Sequence, residues 1–331
     1  MIKFTAKLIT CAILVVVALF CICTGVYLLT AGMFTKDSYQ KGFVYQLRAL
    51  ERFKSEHPKV LILGGSYMTF AMDMPLFRKM MDMPAFELGV HSGMGQAYTF
   101  EQAERFIAKD DVVVFLFAGF SKDDFGMPLI YNTLDGEGDL MIDFIVKHPL
   151  VVFNSICSEC SHRILKLISE YTRNAIARKL TGKSFGSSGA YCAKAFDPNT
   201  GDMIYNRTCE DKRGQEKARF KFDDRSISDS CFEVINDLYR CCESRGASMV
   251  IAFPPFVVDS ILPGRSDAAV LDNYQERLQS RLLPKIIAKQ KDTIYQVEMI
   301  HNCAMHLNSC GAKCFTEKLA ENLKRYLSEM R

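Results

Sequence analysis

The chain has 331 residues and a formal net charge of only +3. So weak a charge, without any RNA- or DNA-binding signature, argues against nucleic acid as a partner. Hydrophobic residues make up 49% of the chain, and the roughly 290 residues behind the N-terminal segment are enough for one sizeable globular domain.

The N-terminal segment is long, apolar and uncharged. Residues 8–34 contain no charged side chain, and a helix of that length can span a bilayer. A cleavable signal peptide would have a shorter apolar core followed by a better small-x-small site. Lys3 and Lys7 precede the segment, which favours a cytoplasmic N-terminus. We therefore expect residues 1–35 to form a cytoplasmic tail and a single-pass signal anchor, and residues 36–331 to face the extracytoplasmic side.

Thirteen cysteines are present, and ten of them follow the apolar segment. An even number in an oxidising compartment is compatible with disulfides, although the sequence does not define their pairing. A disulfide between Cys192 and Cys209 could link two parts of the polar tract 182–221. The alternative is that several cysteines are simply buried as small apolar residues.

Behind the anchor, apolar strands alternate with helical stretches. The patterns predict strands near 59–63, 85–89, 111–117, 248–253 and 294–298. They predict helices near 67–81, 97–108, 228–245, 268–290 and 315–329. This alternation predicts an α/β fold with a doubly wound parallel sheet of about five strands in a flavodoxin-like order. The strand at 111–117 is apolar on both faces, which is typical of a central parallel strand.

The alternation breaks between about 120 and 227, which we interpret as a helical and loop insertion beside the cleft. Its first part, 138–181, has a helical pattern. The tract 182–221 is polar and rich in turn residues. Such tracts form mobile or substrate-facing loops, although ordinary surface loops are the commoner explanation.

A candidate nucleophile follows the first strand. The apolar run 60–63 passes directly into Gly64, Gly65 and Ser66, and the glycines permit a sharp exit from the strand. In an open parallel sheet that exit lies at the carboxyl edge, where ligands bind. Ser66 could instead be only a helix N-cap. A phosphate-binding loop is a weaker alternative, because the longer glycine pattern and the lysine of nucleotide loops are absent.

A candidate general base follows the last predicted strand. His306 would lie at the same edge of the sheet as Ser66, and a serine hydroxyl needs a base to remove its proton as it attacks. A purely structural histidine is the alternative. Zinc binding is another, since four possible ligands are close in sequence, but their spacing is not that of a common zinc module. These are Cys303, His306, Cys310 and Cys314.

Two blocks of sequence resemble a known family, the SGNH (GDSL-like) hydrolases and acyltransferases. The blocks are VLILGGSYMTFAMDM with FELGVHSGMGQAY, and MHLNSCGAKCFTEKLAENL. They are most similar to the membrane-anchored branch that includes the D-alanine transfer protein of teichoic acid decoration. The resemblance implies Ser66 as nucleophile, His306 as base and no cofactor or metal. It also implies an oxyanion hole from the N–H groups of Ser66 and Gly89, with Gly93 a lesser candidate.

The sequence departs from the family pattern at three places. The family has an aspartate a few residues before the terminal histidine, whereas this chain has Asn302 and Cys303. Loss of that acid in a serine protease triad lowers turnover about 10⁴-fold. A Ser-His dyad held by a backbone carbonyl, an acid from elsewhere and a loss of catalysis all remain open. Glu87 replaces a usual asparagine, and 117–120 offers no oxyanion asparagine.

The resemblance implies a membrane-anchored serine esterase or O-acyltransferase that acts on acyl esters of cell-envelope glycans. The acyl group would be small, such as acetyl or aminoacyl, and the substrate would be an envelope glycan or an acyl carrier. The missing aspartate motivates a different hypothesis. In it the chain is a catalytically inactive scaffold or binding subunit of an envelope polysaccharide assembly, with protein partners.

Overall fold

The computed structural model describes most of the chain beyond residue 36. The described ranges are 37–54, 57–118, 126–152, 189–208 and 220–330, with isolated positions between 7 and 25 and at 165 and 169. The chain divides into two compact units. One comprises Tyr39–Gly126 and Gly189–Arg331, and the other comprises Met1–Ser38 and Met127–Ser188.

The described secondary structure follows the alternation expected from the sequence. The strands are β1 (Val60–Leu63), β2 (Ala85–Leu88), β3 (Val112–Leu116), β4 (Ser248–Ala252), β5 (Phe256–Val257), β6 (Lys285–Ile286), β7 (Ile294–Tyr295), β8 (Ile300–Cys303) and β9 (His306–Leu307). The helices are α1 (Lys41–Arg52), α2 (Ser66–Ala71), α3 (Met74–Met81), α4 (Gln96–Glu104), α5 (Met127–Leu134), α6 (Gly138–Lys147), α7 (Asp229–Ser244), α8 (Ala268–Gln279) and α9 (Ser309–Met330).

The main sheet has five parallel strands in the order β2-β1-β3-β4-β6. This confirms the predicted α/β class with a parallel five-stranded sheet, and the order is the flavodoxin-like one. The chain moves from β1 outward to β2 and then returns to the other side of β1 to form β3. In such sheets ligands bind in the crevice at the carboxyl ends of the strands where the order reverses. Ser66 follows β1 at that position.

The predicted fifth strand is wrong in position. The segment at Ile294–Tyr295 does not join the main sheet but pairs with Phe256–Val257 in a separate two-stranded sheet. The fifth strand of the main sheet is Lys285–Ile286, inside the stretch expected to be helical. The helix ends at Gln279, ahead of Pro284, whose ring and missing N–H are incompatible with a helix interior.

The single helix expected over 67–81 is two helices. Asp73 separates them, because its Oδ1 accepts a hydrogen bond from Leu76 N at 3.1 Å and caps α3. Pro75 lies in the first turn of α3, where a missing N–H has no cost. A short helix after Ser66 and a sharp break therefore carry the chain away from the sheet edge.

One apolar layer joins the sheet to α2, α3 and α9. Side chains on one face of the strands, such as Ile62 and Val114, pack against Phe77 and Phe315 in a single buried cluster. At the amino ends of β1 and β3, the buried Lys59 and Asp111 form an ion pair with an Nζ to Oδ2 distance of 2.5 Å. This ion pair links the amino ends of the two central strands.

The second unit contains α5 and α6. α6 buries Leu140, Met141 and Phe144 and leaves Ile142 and Val146 exposed. No helix among the described residues is long and apolar enough to cross a bilayer. The expected anchor, within residues 8–34, lies mostly outside the described residues, so the anchor remains a prediction.

Residues 120–227, interpreted from the sequence as an insertion, are divided between the two compact units. The stretch from Gly189 onward belongs to the same compact unit as the sheet, whereas Met127–Ser188 belongs to the other unit. Phe196 and Arg207, both within the polar tract, are buried. The described part of the tract is therefore not merely surface loop, because it contributes side chains to the core beside the sheet.

Candidate active site

Ser66 is the first residue of α2 and lies just past the carboxyl end of β1. The turn before it requires a residue without a side chain. A Cβ atom on Gly65 would lie 2.8 Å from the backbone nitrogen of Ser92, which is closer than real Cβ contacts allow. Gly65 thus lets the turn after β1 pack against the loop after β2, and this packing fixes where Ser66 starts its helix.

His306 lies in a short antiparallel hairpin, where it pairs with Cys303 across β8 and β9. Its Nε2 atom is 3.0 Å from Ser66 Oγ, a hydrogen bond between residues 240 positions apart in sequence. The two residues that the sequence singled out as nucleophile and base are therefore in direct contact. At 8% exposure the imidazole is buried, which shields the contact from bulk water.

The Nδ1 atom of His306 faces two polar side chains instead of a carboxylate. Asn302 Oδ1 is 3.1 Å away and Tyr191 Oη is 3.0 Å away. Asn302 Nδ2 also donates to Tyr191 Oη at 3.0 Å. For His306 to accept the Ser66 hydroxyl proton at Nε2, its Nδ1 must carry a hydrogen, and both oxygens can accept it. Asn302 therefore occupies the position that the acid has in a triad.

Tyr191 was not identified from the sequence. It belongs to the polar tract expected to be a loop, and no motif distinguishes it from the other tyrosines. Its ring is part of an aromatic cluster, 5.5 Å from the centroid of Phe70 and 5.5 Å from that of Tyr39. This packing holds the hydroxyl at the histidine.

Phe70 fixes the plane of the imidazole. Its ring stacks on His306 with a centroid distance of 4.1 Å and an interplanar angle of 5°. On α2, Phe70 is one helical turn after Ser66, so the same short helix carries both the hydroxyl and the ring that orients its partner. His301 also stacks on Phe70, and its Nδ1 is 2.8 Å from Thr208 O.

The surroundings of His306 disfavour its protonated form. Burial is the largest cause, followed by the nearby His301, His91 and Arg207, and together they lower the pKa of His306 to about 3. No carboxylate among its described contacts offsets this effect. The imidazole is therefore neutral at physiological pH and able to accept a proton, but it is a weaker base than a histidine paired with an aspartate.

This pKa leads to an expected pH dependence. We expect the rate at which Ser66 reacts with an electrophile to stay nearly constant from about pH 8 down to about pH 4, because His306 is protonated only near pH 3. A serine activated by an ordinary histidine would lose reactivity below about pH 6.5. Labelling rates with an organophosphorus probe across this range, together with circular dichroism to follow folding, test the expectation. A decline centred near the ordinary histidine pKa would contradict it.

The backbone N–H of Gly89, expected in an oxyanion hole, already has an acceptor. It donates to the buried Gln46 Oε1 at 2.9 Å. Gly93 N likewise donates to His91 Nδ1 at 3.0 Å. Gly89 is needed for another reason, since its φ is 130° and a Cβ there would lie 1.9 Å from Gly64 O. Of the N–H donors expected from the sequence, only that of Ser66 remains a candidate.

Arg207 connects the segment that carries Ser66 with the segment that follows His306. Its guanidinium donates to Thr69 O at 2.9 Å and to Met72 O at 3.2 Å, at the end of α2. Its backbone exchanges hydrogen bonds with Ser309 at the start of α9: Arg207 N donates to Oγ at 3.1 Å, and Ser309 N donates to Arg207 O at 2.9 Å. One residue of the polar tract thus holds both the helix that bears Ser66 and the helix that follows His306.

A buried carboxyl group lies in the same region. Glu87, at 2% exposure, has its pKa raised well above the usual value by burial and by Asp202, while Arg207 and Arg78 act in the opposite direction. Glu87 Oε2 has no hydrogen-bond partner among the described residues. Glu87 is therefore part of a buried polar layer that also contains Asp202, Arg207 and Arg78.

The zinc alternative gains no support. Within the described part of the chain, no three His, Cys, Asp or Glu side chains are grouped closely enough to hold a metal ion. The four candidates at 303, 306, 310 and 314 are all described residues. His306 instead uses both ring nitrogens in contacts with Ser66, Asn302 and Tyr191.

Comparison with known proteins does not assign the chain to a family, since no family model matches the sequence and no significant match to a curated protein was found. The geometry around Ser66 and His306 is therefore the basis on which a function can be inferred.

Proposed function

We propose that the protein is a serine esterase or O-acyltransferase in which Ser66 is the nucleophile and His306 the general base. The observation that carries the proposal is the 3.0 Å contact between Ser66 Oγ and His306 Nε2 at the switch point of the sheet. A hydroxyl and a neutral imidazole in hydrogen-bond contact are the minimal arrangement for acyl transfer through a covalent intermediate.

The proposed reaction has two halves. Ser66 Oγ attacks the ester carbonyl carbon as its proton passes to His306 Nε2. The bond between the carbonyl carbon and the alcohol oxygen then breaks, and the departing oxygen takes the proton from His306. In the second half, water or an acceptor hydroxyl attacks the acyl-serine and loses its proton to His306, which returns it to Ser66 Oγ. Water gives an esterase, and an acceptor hydroxyl gives an acyltransferase.

Asn302 and Tyr191 orient the base in this scheme. Their oxygens accept the Nδ1 hydrogen of His306 and select the tautomer that leaves Nε2 free to accept from Ser66. They do not neutralise the imidazolium that forms during attack, which a carboxylate would do. We therefore propose a slow enzyme rather than one with the rate of a complete triad.

The biological setting in this proposal rests on the resemblance and on the apolar segment 8–34. We propose membership of the SGNH superfamily, a single-pass anchor with the body outside the cytoplasm, and acyl esters of envelope glycans as substrates. An acyl carrier as donor and other proteins of an envelope assembly as partners belong to the same proposal.

The direct test is labelling of the full-length protein in detergent with a small fluorophosphonate, followed by intact-mass measurement and peptide mapping. We expect one adduct on Ser66, none in Ser66→Ala, and at least about a 100-fold slower reaction in His306→Ala, because an unassisted hydroxyl is a weak nucleophile. Ser92→Ala is the matched control, since Ser92 packs against the turn before Ser66 but has no role in the reaction.

The absence of an adduct on protein with intact circular dichroism would overturn the catalytic proposal. It would favour the alternative that Asn302 motivates, in which the fold is retained as a non-catalytic scaffold or binding subunit of an envelope assembly.

A further inference from the structure

A cavity of about 210 Å³ lies in the same compact unit as Ser66 and His306. Its walls come from the end of β3, from β5, from α8 and from the segment 220–227, so several separate parts of the chain build it. Five of its lining side chains are aromatic: Phe117, Phe220, Phe222, Phe256 and Tyr274. An engineered apolar cavity of about 150 Å³ accommodates a benzene molecule, so this one can hold an aromatic ring or a medium-length alkyl chain.

The cavity begins one strand away from the proposed nucleophile. Leu63 of β1 pairs with Phe115 of β3, so Gly65 and Phe117 stand at the same level where these parallel strands end. Adjacent strands are about 4.8 Å apart. Tyr67 Oη, next to Ser66 in sequence, donates to Leu116 O at 2.9 Å and ties the first turn of α2 to the end of β3.

The aromatic rings that line the cavity pack against one another, and this packing keeps the cavity open. Phe256 has Phe220 and Phe222 packed edge-on against it, with centroid distances of 4.7 Å and 5.1 Å. Phe222 also lies 5.6 Å from Tyr274. The backbone of Phe222 is in the left-handed region, with φ of 47°, a conformation that is strained for a bulky residue. Such strain tends to be retained where it serves a site.

The polar groups at the cavity are few. Asp223 is paired with Arg225, whose guanidinium hydrogen bonds lower the pKa of that carboxyl to about 2. Gln290 is buried and its Nε2 donates to Thr293 Oγ1 at 2.9 Å. Lys221 is exposed. Five aromatic side chains with a small number of polar groups among them are typical of sites for small organic groups.

We propose that this aromatic cavity binds the acyl chain of the ester whose carbonyl is attacked by Ser66, and that it selects chains of about six to ten carbons or an aryl group over acetyl. The proposal rests on the proposed function. The carbonyl carbon lies at Ser66, and the chain crosses the end of β3 to reach Phe117 and Phe222. This differs from the small acyl group that the family resemblance implies.

The test compares two fluorophosphonates that differ only in an ethyl or an octyl chain on phosphorus. We expect the full-length protein to react with the octyl probe at least about tenfold faster, because each buried methylene adds to the interaction. Phe222→Ala should lose this preference, with its octyl rate falling toward its ethyl rate. Ala118→Phe, which fills the cavity instead of enlarging it, should lose the preference as well. Phe86→Ala on β2 is the matched control and should keep it.

Equal rates for the two probes, or a preference that survives both cavity variants, would overturn the proposal. Calorimetric titration of octanoate into the Ser66→Ala protein separates this failure from failure of the proposed function. If no serine reacts but octanoate still binds, and binding is lost on adding Phe222→Ala, the cavity is a binding site without catalysis at Ser66. If octanoate does not bind, the cavity proposal fails regardless of labelling.

Discussion

Replacing Asn302 by aspartate is expected to accelerate the reaction of Ser66 by about 100-fold or more. In the structure Asn302 Oδ1 lies 3.1 Å from His306 Nδ1, so Asn302→Asp would place a carboxylate at the position of the acid in a triad. The opposite change in a serine protease costs about 10⁴-fold. A nearby negative charge should also raise the pKa of His306 from its value of about 3 by about 1–3 units.

The measurement is the labelling rate as a function of pH for both proteins. The variant should react faster above the new pKa and lose reactivity at a higher pH than the parent does. Cys303→Asp is the matched control, because it adds the same charge one residue away from Asn302, whose side chain contacts His306 Nδ1. An unchanged rate in folded Asn302→Asp, or an equal gain in Cys303→Asp, would contradict the assignment of Asn302 to the acid position.

Part of this site was predictable because it follows from the sheet. The run of apolar residues before Gly64 identified β1, and a parallel sheet places the exit of each strand at one edge. The sheet accounts in this way for Ser66 only, because the strand from which His306 was assigned to the same edge does not join the main sheet. His306 reaches Ser66, 240 positions away in sequence, from the separate hairpin of β8 and β9. The reversal of strand order at β1 then puts Ser66 at the usual place for a ligand.

The other residues of the site could not be predicted, because their positions depend on tertiary packing that leaves no periodic pattern in the sequence. Tyr191 and Arg207 lie in a tract rich in turn residues, and composition alone describes such a tract as surface. Their functions in the structure come from contacts with residues more than 100 positions away, His306 in one case and Thr69 in the other. Gln46, which accepts from Gly89, belongs to a helix far from either motif.

The error in the predicted position of the fifth strand has a similar cause. Two short apolar segments, at 285–288 and 294–298, compete for the sheet, and each is too short for periodicity to decide between them. Pairing with β4 selects Lys285–Ile286, and Ile294–Tyr295 pairs with Phe256–Val257 instead. Pro284 was the available signal that the preceding helix could not extend to residue 290.

Removing the Arg207 side chain is expected to have the second large effect. Its guanidinium is buried and donates to two carbonyls at the end of α2, and it is one of the cations near the buried Glu87. Arg207→Ala would leave those carbonyls without their guanidinium donor and would remove one of the two cations near that carboxyl group. Losses of this kind cost about 3 kcal/mol or more of unfolding free energy. We expect a lower melting temperature and a labelling rate reduced at least about tenfold.

Arg207 does not contact the reacting atoms, so its effect on rate would be that of a positioning residue acting through α2. Arg78→Ala is the matched control. Arg78 forms a two-pronged ion pair with Asp202 at 2.6 Å and 2.7 Å and belongs to α3 rather than α2. Arg78→Ala should lower the melting temperature without slowing the labelling of folded protein. Adding Glu87→Gln to Arg207→Ala should restore part of the stability, because it removes a buried carboxyl group that has lost one of its two nearby cations.

Two results would contradict this role for Arg207. One is an unchanged labelling rate in folded Arg207→Ala, which would mean that α2 is positioned by its packing alone. The other is equal slowing in Arg78→Ala, which would mean that any loss of stability in this layer reaches Ser66. If instead only Arg207→Ala slows labelling, then a residue of the polar tract maintains the 3.0 Å contact between Ser66 and His306.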